Sequence, residues 1–303
     1  MSQELDSQVQ TEWKWPVAAD LFLAGTGAGA YAAGVLASFG GPEWQGIARM
    51  GVILAFPLVL LATFFLIVDL GVKTRALRVF INPGTSWITR GSLIITGFMT
   101  LTFLHLILMV WPGQMAADAP LLRALSVVNL VFSVLVMIYT GALLGASRAI
   151  AFWNTAMLPV IFLLSATATG TMAVALLAPG SEAPFEMLSK VLLVFLVLKT
   201  ILVVFYVQAS HRTDESRASA HLLLKGRLSG MFWFGLIVVG LLAPIMLLIL
   251  NVTIMHEIWL TKAAAILGLV GGFILRRLVL AAGVRAPLRA AGIDFKFPSP
   301  IVR

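Results

Sequence analysis

The chain has 303 residues, of which 60% are hydrophobic and only 11% charged, against roughly 25% charged in a typical soluble domain. Its 21 basic and 13 acidic residues are too few to wet a soluble fold of this size, and the mean hydropathy is +1.01, so an integral membrane protein is expected. The net charge of +8 then marks loops on one side of a bilayer, and no nucleic-acid partner is expected.

A helix needs about 20 apolar residues to cross the hydrocarbon core. Eight such runs occur, at approximately 17–39, 48–70, 88–111, 122–147, 153–178, 186–210, 228–250 and 258–280. Backbone groups in lipid must be satisfied within the segment, and the runs lack the short alternation of barrel strands, so helices are predicted. The expected fold is an all-α integral membrane protein of eight transmembrane helices, divisible into two four-helix bundles. The expected division is an N-terminal cytoplasmic segment over 1–16, a first bundle over 17–147, a second over 148–282, and a basic tail over 283–303.

The segment before the first run carries Glu4, Asp6 and Glu12 against Lys14 alone, so the run is not read as a cleaved signal peptide. Trp13 and Trp15 precede it, and Trp87, Trp111, Trp153 and Trp259 lie at other span ends, as interfacial anchors do. The loops are short, and the longest, about 211–227, reads as a charged, solvated connector. An even number of spans puts both termini on one side. That side would carry 16 basic residues, from Lys14 through the loops to Arg276, Arg277 and the tail. The other would carry four, Arg49, Arg123, Lys190 and Lys262. The bias places both termini in the cytoplasm, in an inner membrane contacting lipid on all sides.

There is no cysteine, which excludes disulfides and thiolate-held iron–sulfur clusters. Of the four histidines, only His105 lies well inside an apolar run. A haem held by two histidines needs both inside the bilayer, so no haem is expected, nor a transition-metal site.

Ionisable groups inside the bilayer are costly and commonly functional. Asp20, near the start of span 1, and Tyr139, near the end of the oppositely directed span 4, fall in one leaflet at similar depth. Together they could hydrogen-bond a small carbonyl ligand and relay a proton, or be a snorkelling carboxylate and a belt tyrosine. His105 and Asn129 fall in the other leaflet, as an interhelical pair or part of a proton path. Lys199 is too deep in span 6 to snorkel, and serves proton transfer or pairs with a carbonyl or carboxylate. The run Gly25-Thr-Gly27-Ala-Gly29-Ala30 and the Ser165-to-Thr171 run either let helices approach closely or leave a groove for a flat ring. Asn82-Pro83-Gly84 is a turn, Ser86 is placed to cap span 3, and the 2–3 loop with Asp69, Lys73, Arg75 and Arg78 is a solvated loop or a docking surface.

Four features together resemble the NrfD family, typified by the polysulfide reductase anchor. They are Trp13-x-Trp15 leading into Asp20-Leu-Phe-Leu-Ala-Gly-Thr-Gly27-Ala-Gly-Ala30; Asp69-Leu-Gly71 with Arg78 behind it; Asn82-Pro83 with Ser86-Trp87 and Gly91-Ser92; and Tyr139-Thr-Gly-Ala-Leu-Leu144 before Phe152-Trp153-Asn154 and the small-residue span 5. The motifs cover residues 13–175; beyond them the likeness rests on span count. The resemblance implies a quinone-reactive subunit without haem, menaquinone- or ubiquinone-linked. It would exchange electrons with a ferredoxin-like iron–sulfur subunit attached to a molybdopterin-type catalytic subunit. Asp20 and Tyr139 match the family's quinone-contact positions, and Gly27 is assigned to the same site. Asp69, Arg75 and Arg78 match the docking face, and His105, Asn129 and Lys199 are the candidate proton path. The polysulfide reductase type has His at the Asp20 position and Asn near Val17, and this chain has neither. It also docks its partners outside, whereas the charge bias here implies either a branch with cytoplasmic partners or basic loops that are a docking surface mimicking the topology signal. The alternative is a secondary transporter with Asp20, His105 and Lys199 as coupling sites, and after it a purely structural anchor.

Overall fold

The computed structural model describes residues 9–69, 86–110, 120–179, 182–211, 213–286, 288–290 and 293–295. Eight helices in it are long and apolar enough to cross a membrane, one for each predicted run. They are α1 (Trp15–Ala37), α2 (Gln45–Asp69), α3 (Trp87–Val110), α4 (Pro120–Gly145), α5 (Met157–Leu177), α6 (Glu182–Ala209), α8 (Met231–Met255) and α9 (Ile258–Ala281). Pro16 lies in the first turn of α1, where a missing N–H costs nothing. Ser86 caps α3 as expected, its Oγ accepting from the Thr89 N–H at 3.3 Å. α8 is wound as a π-helix over Met231–Leu242 and again over Asn251–Met255, with an α-helical stretch between. A short antiparallel pair, Leu288–Ala290 with Ile293–Phe295, follows the last span.

α1 and α5 are the central helices. In their most apolar stretches 78% and 67% of residues are buried, against no more than 44% in the other six. α1 packs most extensively on α2 and α5, and also meets α4 and α9, while α5 meets α1, α4, α6 and α9. Small residues make this possible. A Cβ on Gly29 would strike the Ala166 backbone, and one on Gly170 would strike that of Gly29. Gly34 and Gly51 bring α1 and α2 into backbone contact in the same way. Lipid tails are as apolar as leucine, so such close packing, and not expulsion of water, holds membrane helices together. Across the crossing, Thr26 donates to Thr169 at 3.0 Å.

Three expectations are corrected. The connector after α6 is not simply solvated: Asp214–Leu224 forms a short helix, α7, opened by a Thr213–Ser216 capping box. Its Ser216, Ser219, Ala220 and Leu223, three or four residues apart, are buried together with Leu222, so one face of small and apolar side chains meets the core. Trp153 is not an interfacial anchor. It is buried, stacks 5.4 Å from Trp13, and donates its indole N–H to the Val279 carbonyl at 2.7 Å. Arg276 does not belong with the loop charges: it is fully buried within α9, which lowers the basic count on the terminal side by one.

The two ends of the described chain meet on one side. Val9 bridges Val284, the Gln10 N–H donates to the Gly283 carbonyl at 2.9 Å, and Glu12 pairs with Arg285 at 2.9 Å.

Candidate functional site

Asp20 lies in the second turn of α1, on the side where the chain ends meet. α4 runs the opposite way and returns Tyr139 to the same depth. Both side chains are buried, and the Asp20 carboxylate is within electrostatic reach of the Tyr139 phenol. The tyrosine ring lies against the bare Cα of Gly91 in α3, where any Cβ would overlap it. Three helices therefore fix the pair: α1 supplies the carboxylate, α4 the phenol and α3 the space. Nearer the helix ends, Arg90 stacks over Trp87 at 5.1 Å, and Trp15 meets Phe65 edge-on at 5.7 Å. A carboxylate and a phenol held out of water can together donate to and accept from a carbonyl–hydroxyl couple, and move a proton to or from it.

Gly27 stands elsewhere. A Cβ there would come 2.7 Å from the Val59 side chain and 3.0 Å from the Ala55 carbonyl, so this face of α1 is filled by α2. Asp69 closes α2, and Arg75 and Arg78 lie outside the described residues.

In the opposite leaflet His105 and Asn129 are both buried but do not bond each other. His105 Nδ1 is 2.8 Å from the Tyr31 hydroxyl, and the Asn129 amide donates to Thr102 Oγ1 at 2.9 Å. Tyr31, which sequence reasoning passed over, is the link, because Asn129 and Ser126 also stand beside its hydroxyl. A tyrosine in an apolar run reads as an ordinary large residue. The available signal was its position, directly after the small-residue run from Gly25 to Ala30. His105 also lines a cavity of about 560 Å³ that includes Arg49, Arg123, Ser38 and Ser126. Lys199 belongs to neither cluster: it is buried in the second half of the molecule beside Arg276.

A family profile described as polysulphide reductase, NrfD, matches residues 4–287. The chain belongs to the NrfD family. The C subunit of the Wolinella succinogenes polysulfide reductase is 30% identical over 308 residues, covering 90% of this chain and 91% of its own. Protein NrfD of Escherichia coli K12 is 29% identical over 321 residues, covering 89% and 94%. The NrfD likeness therefore runs through the second half of the chain, beyond the motifs that end near residue 175. Its body is a multi-pass, eight-span membrane subunit.

Proposed function

We propose that the chain is the quinone-reactive membrane subunit of a multisubunit respiratory oxidoreductase. It exchanges electrons between the quinone pool and a ferredoxin-like iron–sulfur subunit, which serves a molybdopterin-type catalytic subunit. The observation that carries this reading is the buried Asp20–Tyr139 pair, held by three helices in a member of the NrfD family. A quinol loses two protons as it is oxidised, so a carboxylate beside the headgroup acts as base, while a phenol orients the ring through one carbonyl oxygen. The partner's cofactors carry the electrons, and this chain positions the quinone and handles its protons. His105–Tyr31 and Asn129–Thr102 extend the proton path toward the opposite face. The basic 2–3 loop with Asp69, Arg75 and Arg78 receives the iron–sulfur subunit from the cytoplasm.

Two measurements test this. The purified complex should oxidise a short-chain quinol, and the chain alone should show no substrate-dependent uptake into vesicles; uptake without quinol oxidation favours the transporter. Arg75→Glu with Arg78→Glu should release the partner while the chain still inserts. Intact assembly on native gels removes the docking surface from the reading.

A further inference from the structure

The second helix group carries a cluster for which quinone chemistry has no use. Arg276 of α9 is fully buried, its guanidinium between the rings of Phe22 and Phe162 at 5.7 and 5.3 Å. Its Nη1 donates to Ser165 Oγ at 2.7 Å and to the Gly272 carbonyl at 3.1 Å. Its Nε and Nη2 have no partner among the described residues. Lys199 of α6, 1% exposed, lies within electrostatic range of this guanidinium, and its Nζ is also unpartnered among the described residues. No described carboxylate pairs with either group. Asp20, in the second turn of α1, lies within electrostatic reach of Tyr139.

An arginine flanked by two aromatic faces can bond further ligands only in its own plane, at the edge that carries the free donors. Gly25 of α1 stands beside that edge without a side chain to cover it; a Cβ there would come 3.2 Å from Nη2. Two basic groups in a low-dielectric interior repel each other and are tolerated when a negative charge compensates them. We propose that Arg276 and Lys199 form a binding site for one small monovalent anion of halide size, at the meeting of α1, α5, α6 and α9. The anion accepts from the free guanidinium edge and the lysine Nζ, and neutralises part of their charge. This site is independent of the quinone reading, which concerns α1, α3 and α4.

The test compares thermal unfolding of the full-length chain in sodium gluconate with sodium chloride or bromide at equal ionic strength. Halide should raise the midpoint by several degrees and saturate, as a ligand that binds only the folded state must. Lys199→Glu places a carboxylate beside Arg276 and should abolish the halide response. Arg276→Met should raise the half-saturating halide concentration at least tenfold. Anomalous scattering from bromide-grown crystals should show one peak between the two side chains. Equal midpoints in gluconate and halide, with no bromide peak, mean that water satisfies the donors, and overturn the proposal. A halide response unchanged in Arg276→Met places the ion elsewhere and overturns the site. If Lys199→Glu fails to insert, the bromide peak in the unaltered chain decides.

Discussion

In the helices before α5, His105 meets a phenol at 2.8 Å and Asp20 lies within electrostatic reach of another, whereas Lys199 and Arg276, in the helices after it, lie within electrostatic range of each other and pair with no described carboxylate. In the first region the buried ionisable groups beside the tyrosines are a carboxylate and an imidazole, a weak acid and a weak base. A hydroxyl beside each group can exchange a proton with it, which offsets part of the cost of burying an ionisable group in the membrane. In the second region the groups are both cations, and hydroxyls cannot neutralise them. The two regions share a scaffold of small residues at the α1–α5 crossing, yet proton exchange is proposed for one side and a compensating ion for the other.

The sharpest way to break the comparison is to spoil the shared scaffold. Gly170→Leu forces a side chain into the Gly29 backbone and should cost about 3 kcal/mol, the upper end for overpacking, read as loss of folded protein in both regions. If only one region responds, for example by proteolysis confined to α1–α4, the two sides are not coupled through α1 and α5. Asp20→Asn should leave assembly and artificial-dye activity of the complex intact while lowering quinone-linked turnover on the order of 10²-fold. A normal quinone-linked rate in that variant moves the site away from Asp20. His105→Leu strips the Tyr31 hydroxyl of its 2.8 Å partner and should cost about 1–2 kcal/mol of stability. Thermal melts that match the parent would show that Asn129 and Ser126 suffice to hold that hydroxyl. Tyr139→Phe is the mildest change, expected to weaken quinone binding by about 1 kcal/mol for one lost hydrogen bond. An unaltered apparent KM for quinol would leave the ring to packing alone.

Much of the fold was legible in the residues. Every apolar run became a helix at its expected place, and Ser86 caps α3 as its position predicts. Counting along two antiparallel spans put Asp20 and Tyr139 at one depth, and the carboxylate lies within electrostatic reach of the phenol. Other parts of the sites were not legible. His105 was expected beside Asn129 by depth, and depth was right, but both turn toward Tyr31 and Thr102. Gly27 was read either as a point of close helix approach or as part of a groove for a flat ring, and α2 packs against that face. Arg276 was counted with the tail although it lies inside the last apolar run. Its own flanking residues, Phe273 to Leu275 and Leu278 to Leu280, were the signal.

What the sequence determined by itself was the number, length and order of the spans. Burying a backbone in lipid is a local requirement, met or failed within about 20 consecutive residues. What only the tertiary structure decided was the face each helix shows to its neighbours. In a soluble helix an apolar stripe announces the buried face. Here lipid-facing and core-facing sides are equally apolar, so Gly25 and Gly27, two residues apart, gave no hint that one would lie beside an arginine of α9 and the other against α2. Which hydroxyl meets His105, and whether a buried cation finds an acid, depend on that choice of face, and close packing between helices distant in the chain makes it.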